Sequence, residues 1–372
     1  MIKIIHIARP LGGIGVYIDL LSKNIDNNTF SNSIICNTKE KGIDIKNANE
    51  KSITKFHVNL IREISPINDI KCFFKIINIL QKEKPTIVHC HSAKAGVLGR
   101  FAAIVLKIPV VYTPHAYSFL STKSKLKKQL FKGVESLFRF FNANTIACSA
   151  SEYHRAIYDV GLKKEKVYVW NNSIEYPIKA KNNSNFILPN EFICSIGRPS
   201  YQKNTELLIK SIAKIRQKIS TVHLVILGVG LYSPLIKDIE ALIKKYALEK
   251  NITLVPWCDR LETMDILKKC QIYTSTSRYE GLPYSVIEAL ALSKPCVVTN
   301  VDGNKDLVKN NFNGFLVSEN EGEIAKKIIQ LLKDKTTRTL FAQNAHEDFL
   351  KNYSIQNTIH KLENIYKTIL IP

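Results

Sequence analysis

The sequence predicts an α/β protein of two Rossmann-like, doubly wound domains facing each other across a cleft. Three observations carry this expectation. The chain has 372 residues, too many for one ordinary core and about right for two. Apolar strand-like runs alternate with helical stretches almost throughout, which argues for parallel sheets covered by helices. A polar, Asn-rich bridge at 171–190, bounded by prolines, divides that alternation into two series. The expected domains are 1–175 and 190–354, with a last helix at about 355–372.

In order along the chain, a buried strand is expected at 2–7. A turn with Gly12, Gly13 and Gly15 follows, then an amphipathic helix from about 16 to 25. A strand at 86–90, a helix at 93–106 and strands at 110–113, 145–148 and 167–170 complete the first series. The second runs strand 192–196, helix 205–217, strand 223–227, helix 231–247, then strands 252–255 and 272–274. A helix at 285–292 and strands at 295–299 and 315–317 come next, and the remainder reads as helices. Doubly wound sheets bind ligands at the carboxyl ends of their strands, where strand-to-helix loops and helix N-termini converge.

The richest such loop is Glu280-Gly281-Leu282-Pro283, with Glu288 eight residues after the first glutamate. Gly281 allows a ligand close to the backbone, Pro283 stiffens the start of a helix, and that helix N-terminus attracts an anion. Glu288, one turn in, can accept hydrogen bonds from vicinal ribose hydroxyls. An ordinary loop with a glutamate stabilising its helix would look the same. Arg198 and Lys203 follow the first strand of the second series. Two cations there would stabilise the charge that gathers on a departing diphosphate; two solvated surface cations are the alternative. His115 ends the strand at 110–113, where a histidine is more often structural than catalytic. His89 and His91, two apart on a neighbouring strand, have no acidic or cysteine companion, and no metal site is expected. The chain also contains no Asp-x-Asp, the pattern that holds a divalent cation on a diphosphate. Cationic side chains would have to take that role.

Composition narrows the classes. Eight cysteines stand singly with no CxxC spacing, so buried free thiols are expected rather than zinc knuckles or redox pairs. No signal peptide is evident and no apolar run approaches the roughly 20 residues that span a bilayer. The formal charge of +21 raises encounter rates with nucleotides, nucleic acid and anionic lipid alike. No recognition motif supports a nucleic-acid-binding protein. Residues 122–141 place Leu126, Leu130, Val134, Leu137, Phe138 and Phe141 on one helical stripe, with Lys123, Lys125, Lys127, Lys128, Lys132 and Arg139 around it. That stripe would either lie on an anionic membrane surface or pack on its own domain.

Taken together, these residues resemble the retaining glycosyltransferases of family 4, which have the two-domain GT-B fold. The resemblance runs in order through Gly12 to Gly15, Val88 to Gly96, Thr113 to Tyr117, Gly197-Arg198 to Lys203, Gly228-Val229-Gly230, Glu280 to Glu288, Gly303 to Val308 and Asn313 to Val317. It implies that Arg198 and Lys203 bind the donor diphosphate, Glu288 the ribose, and that Glu280 faces the transferred sugar. His115 would lie beside that sugar, Gly13 would close on donor phosphates or acceptor, and Leu282 and Pro283 would complete the phosphate cradle. The loop 255–259 would meet the base, and the last helix would cross back onto the first domain. The implied activity is sugar transfer from a nucleotide donor, UDP being the expected base carrier. The acceptor would be a glycan or polyprenyl-diphosphate-linked glycan of bacterial surface polysaccharide assembly, and no cofactor is implied. Such an enzyme would be cytoplasmic, with peripheral contact to the membrane's inner face. A UDP-sugar epimerase of the same fold is the rival reading.

Overall fold

A computed structural model of the chain describes residues 1–371 other than 41, 62, 177–178, 180–185 and 231–232. Residues 177–178 and 180–185 of the Asn-rich bridge and the expected helix start at Leu231 therefore lie outside the described residues. The chain divides into two compact units, Met1–Ser173 with Ile355–Pro372, and Ile174–Ser354.

The first unit's strands are β1 (Ile2–Ile7), β2 (Phe30–Cys36), β3 (Thr54–His57), β4 (Ile87–His91), β5 (Val110–Thr113), β6 (Ala143–Ala147) and β7 (Val167–Val169). They form one sheet in the order β3-β2-β1-β4-β5-β6-β7, every pair parallel. Its helices are α1 (Gly13–Asn24), α2 (Pro66–Glu83), α3 (Ala93–Val105), α4 (Lys125–Leu137) and the short α5 (Ala150–His154). Ile4, Ile5 and Ile7 of β1 are all fully buried, as expected where helices cover both faces of a parallel sheet.

The expectations from sequence miss β2, β3 and α2. The first half of β2 is Phe-Ser-Asn-Ser and β3 is a four-residue edge strand with two exposed residues, so neither shows a continuous apolar run. In α2 only Cys72, Ile76 and Leu80 are buried, while Ile67, Ile70 and Phe74 are exposed, and apolar residues all round a helix blur its periodicity.

In the second unit the strands are β8 (Ile193–Ile196), β9 (Leu224–Val229), β10 (Ile252–Pro256), β11 (Ile272–Ser275), β12 (Cys296–Thr299) and β13 (Gly314–Val317). Their order is β10-β9-β8-β11-β12-β13, again parallel throughout. The helices are α6 (Thr205–Arg216), α7 (Ile236–Lys245), α8 (Arg260–Lys269), α9 (Tyr284–Ala291), α10 (Asn304–Leu307), α11 (Glu321–Lys333) and α12 (Lys335–Asn352). The sequence reading passes over α8, which opens with the Asp259 side chain accepting from the Glu262 N–H. Its core joins Leu208, Ile212, Leu224, Ile226, Val297 and Phe315.

The last helix, α13 (Ile355–Ile369), belongs to the first unit. Several polar contacts fasten it there, among them the Asp26 N–H donating to Glu363 Oε1 at 2.9 Å. The Trp170 indole donates to the Thr358 carbonyl at 3.1 Å, Thr358 Oγ1 meets Ser173 Oγ at 2.9 Å, and Tyr366 OH meets His89 Nδ1 at 2.7 Å.

Each sheet reverses its winding direction once, between β1 and β4 in the first unit and between β8 and β11 in the second. Ligand sites of open α/β sheets form at such switch points, beyond the carboxyl ends of the strands.

Candidate functional site

In the second unit, the loops after β8 and β11 are stitched to each other. The Arg278 N–H donates to the Gln202 carbonyl at 2.8 Å, and Thr276 Oγ1 to the carbonyls of Lys203 and Asn204 at 3.2 and 3.0 Å. This brings Lys203 and Glu280 together: Lys203 Nζ lies 2.7 Å from Glu280 Oε1. Ser277 Oγ donates to the same oxygen at 2.7 Å, and Gln202 Nε2 to Glu280 Oε2 at 3.0 Å. Lys203 thus meets Glu280 within its own unit, whereas the sequence reading treated the two separately. Arg198, on the same loop, is exposed and forms no ion pair among the described residues.

Two glycines make this geometry possible. At Gly197 (φ 149°) a Cβ would lie 2.9 Å from Lys203 Cε, and at Gly303 (φ 79°) 2.8 Å from Glu280 Cβ. Glycine lets the lysine stem and the glutamate lie directly on the backbone.

Leu282 and Pro283 are buried, with Pro283 at the cap position of α9. One turn on, Glu288 is 6% exposed and its Oε1 lies 2.7 Å from Arg260 Nη1 at the start of α8. Burial raises the Glu288 carboxyl above the usual carboxylate range, with Arg260 opposing the rise. Arg260, Ser277 and Gln202 were missed in the sequence. Ser277 and Gln202 lie inside quoted segments, but only the fold shows that both reach Glu280. Trp257, just beyond β10, is 81% exposed.

The first unit's cluster forms around its own switch point. Gly13 opens α1 after β1 and is exposed. His6 (β1) and His91 (β4) meet through Nδ1 and Nε2 at 3.0 Å; His6 Nε2 meets Asn32 Oδ1 at 3.1 Å; His91 Nδ1 meets His115 Nε2 at 3.1 Å. Tyr17 packs edge-on against the rings of His91 and His115. Burial pushes His6 down to about 4 and His115 to about 3, and holds His89 and His91 well below the usual imidazole range. His115 and Ala116 take left-handed backbone angles (φ 55° and 76°). The buried Glu152 clasps that turn, its carboxylate accepting from the N–H groups of Ala116 and Cys148 at 2.8 Å each. Ser149-x-x-Glu152 is a readable capping pattern, and the Ser149 side chain does accept from the Glu152 N–H.

Ring nitrogens of His6, His89 and His91 lie within 4.8 Å of one another. The nitrogens of His89 already pair with Tyr366 and Thr113, and His6 pairs with His91. The cluster is a hydrogen-bonded network, and a cation would have to break it.

On α4 the apolar stripe faces outward: Leu126 is 78% and Leu130 61% exposed, and Val134, Leu137 and Phe141 are exposed too. Phe138, expected on that stripe, is instead buried. The helix packs through its other side, where Glu135 Oε2 pairs with Arg100 Nη2 at 2.8 Å and its Oε1 accepts from Tyr112 OH at 2.9 Å. The Arg100 guanidinium lies 3.4 Å from the Phe138 ring centre. No described helix is long and apolar enough to cross a membrane. All eight cysteines are free.

The family model "Glycosyltransferase Family 4" matches residues 11–176, and "Glycosyl transferases group 1" matches 178–348. Among curated relatives, the UDP-Gal:alpha-D-GlcNAc-diphosphoundecaprenol alpha-1,3-galactosyltransferase of Escherichia coli is 28% identical over 361 residues, 93% of this chain and 91% of the relative. The capsular polysaccharide biosynthesis glycosyltransferase CapM of Staphylococcus aureus is 28% identical over 327 residues, 83% of each chain. Sucrose-phosphate synthase from Thermosynechococcus elongatus superposes with a TM-score of 0.85 at 16% identity, covering 99% of both chains. HepE from Anabaena, in complex with UDP and glucose, gives 0.81 at 18% identity over 99% of this chain and 100% of its own. These likenesses show the fold, GT-B.

Proposed function

Because the chain belongs to the glycosyltransferases, its first unit matching family 4 and its second group 1, we propose that it transfers a sugar from a UDP donor with retention of configuration. The acceptor is a polyprenyl-diphosphate-linked glycan, the sugar a hexosyl or N-acetylhexosaminyl group, and the product serves surface polysaccharide assembly. The observation that carries this reading is the Lys203–Glu280–Ser277–Gln202 network at the second sheet's switch point. The name of the Escherichia coli relative, with UDP-Gal as donor and a diphosphoundecaprenol acceptor, supports the donor and acceptor classes, as does UDP in the HepE complex.

In this reading the bond between the anomeric carbon and the donor phosphate oxygen breaks, and charge gathers on the leaving diphosphate. Arg198, Lys203 and the start of α9 at Leu282 and Pro283 stabilise that charge. The acceptor hydroxyl attacks the same face of the anomeric carbon, and its proton passes to the departing phosphate oxygen. A carboxylate offers about four lone-pair sites, and among the described residues Lys203, Ser277 and Gln202 donate to Glu280. One site remains for a hydroxyl of the transferred sugar, against which Glu280 is braced. Glu288 receives the ribose and Trp257 offers a flat surface to the base. His115 meets the sugar, and Gly13 lets the α1 N-terminus approach donor phosphate or acceptor. These cations make a bound metal unnecessary.

The outward stripe of α4, ringed by exposed Lys123, Lys125, Lys127 and Lys128, suits an anionic membrane surface carrying such an acceptor. The decisive experiment supplies the purified protein with UDP-sugars and a short-chain polyprenyl-diphosphate glycan in EDTA. The expected outcome is a retained glycosidic linkage and stoichiometric UDP. An epimerised UDP-sugar without transfer, an inverted linkage, or activity only after Mn²⁺ addition would each overturn the corresponding part.

A further inference from the structure

Asn32, His6, His91 and His115 form one unbroken line of side-chain hydrogen bonds, of 3.1, 3.0 and 3.1 Å. All three imidazoles are neutral near pH 7, because burial lowers each of them. A neutral imidazole has one N–H and one lone pair, so the direction of the first bond in the line dictates all the others. Asn32 turns its Oδ1, an acceptor, toward His6 Nε2. His6 therefore carries its proton on Nε2, and its Nδ1 accepts from His91 Nε2–H. His91 Nδ1 in turn accepts from His115 Nε2–H, which leaves the lone pair of His115 on Nδ1. Among the described residues, that Nδ1 makes no hydrogen bond.

We propose that Asn32, acting through His6 and His91, is a positioning residue that locks His115 as its Nε2–H tautomer, so that Nδ1 accepts a hydrogen bond from a hydroxyl of the transferred sugar. The proposal rests on the reading of His115 as sugar-facing. Two further features keep the line in register. The Glu152 clasp on the Ala116 N–H fixes the left-handed turn that carries His115. Tyr17, packed edge-on against His91 and His115, restrains both ring planes. His89 stands outside the line, its nitrogens taken by Tyr366 and Thr113, so it cannot divert the sequence of donors. Asn32, 26 positions after His6 in sequence and on the neighbouring strand β2, would thus decide which atom His115 offers.

Histidine-selective ¹⁵N NMR reads this directly. The parent protein is expected to show His115 protonated on Nε2 and bare on Nδ1. Asn32→Asp, which keeps the acceptor, should preserve that tautomer, while Asn32→Leu should give a mixture or its reverse. In turnover, Asn32→Leu should lower kcat about fivefold, the worth of one neutral hydrogen bond. The donor KM should stay unchanged, and Asn32→Asp should recover most of the loss. A His115 protonated on Nδ1 in the parent, or a tautomer unmoved by Asn32→Leu in a protein that retains its thermal midpoint, overturns the lock. Unaltered turnover in His115→Ala removes the sugar-facing reading instead, and leaves the NMR result to judge the lock alone.

Discussion

Acidification from about pH 7 to pH 5 should weaken the first unit through its buried histidines. His6 is fully buried, with its pKa lowered from 6.5 to about 4 by burial. Between those values the unfolded chain binds a proton that the folded one refuses, so stability is complete above the unfolded pKa and falls as the pH drops toward 4. At pH 5 the unfolded side chain lies about 1.5 units below its pKa, which costs about 2 kcal/mol at about 1.36 kcal/mol per unit. His89, His91 and His115 act in the same direction. Glu288, raised by burial, acts in the opposite one. The loss is a large fraction of the roughly 5–15 kcal/mol typical of a domain. The chain has two tryptophans, Trp170 buried against Tyr17 in the first unit and Trp257 exposed in the second. In a Trp257→Phe background, Trp170 fluorescence therefore reports the first unit alone. Its denaturation midpoint in urea should fall between pH 7 and pH 5, and His6→Gln should flatten that dependence. A midpoint indifferent to pH, or a His6→Gln protein with the parental slope, would refute the reasoning.

Lys203→Ala should lower kcat about 100-fold by removing charge stabilisation from the leaving diphosphate, with an unchanged far-UV spectrum; parental turnover would exclude that role. Glu288→Ala should raise the donor KM about tenfold, since charged hydrogen bonds to a ribose contribute about 1.5 kcal/mol, and a change in kcat alone would contradict the ribose assignment. Glutamate at Lys123, Lys125, Lys127 and Lys128 together should abolish sedimentation with anionic vesicles, each lost cation removing about 1 kcal/mol of attraction. Vesicle binding that survives this change would exclude α4 as the membrane contact.

Parallel-sheet alternation was legible because buried strands such as Ile4-Ile5-His6-Ile7 and Val110 to Thr113 are continuous apolar runs beside clear turns. β2 and β3 escaped since polar Ser31, Asn32 and Ser33 interrupt one and the other is a short edge strand. Loop glycines and charges singled out Arg198, Lys203, Glu280 and Glu288 as candidates, because residue type and spacing survive in one dimension, and the fold brings Lys203 and Glu280 together. Their partners did not, because Gln202, Ser277 and Arg260 acquire meaning only when strands distant in sequence become neighbours. The histidine line is the extreme case. His89 and His91 stand two apart in sequence, but their hydrogen-bond partners, Tyr366 and Thr113 for one and His6 and His115 for the other, lie on distant segments.

The way α4 is held has a consequence for how such a surface can change. Its grip on the first unit centres on one buried carboxylate, Glu135, pegged between Arg100 and Tyr112, with Phe138 sealing the guanidinium, while Phe131 packs on the core and Lys132 pairs with Asp159. Removing one member of a buried pair costs about 3–5 kcal/mol, so the peg is intolerant of substitution. Leu126 and Leu130 are exposed and lie outside that buried contact. The helix therefore behaves as a sole on a fixed fastening, and its exposed apolar residues can be exchanged without disturbing the sheet beneath it.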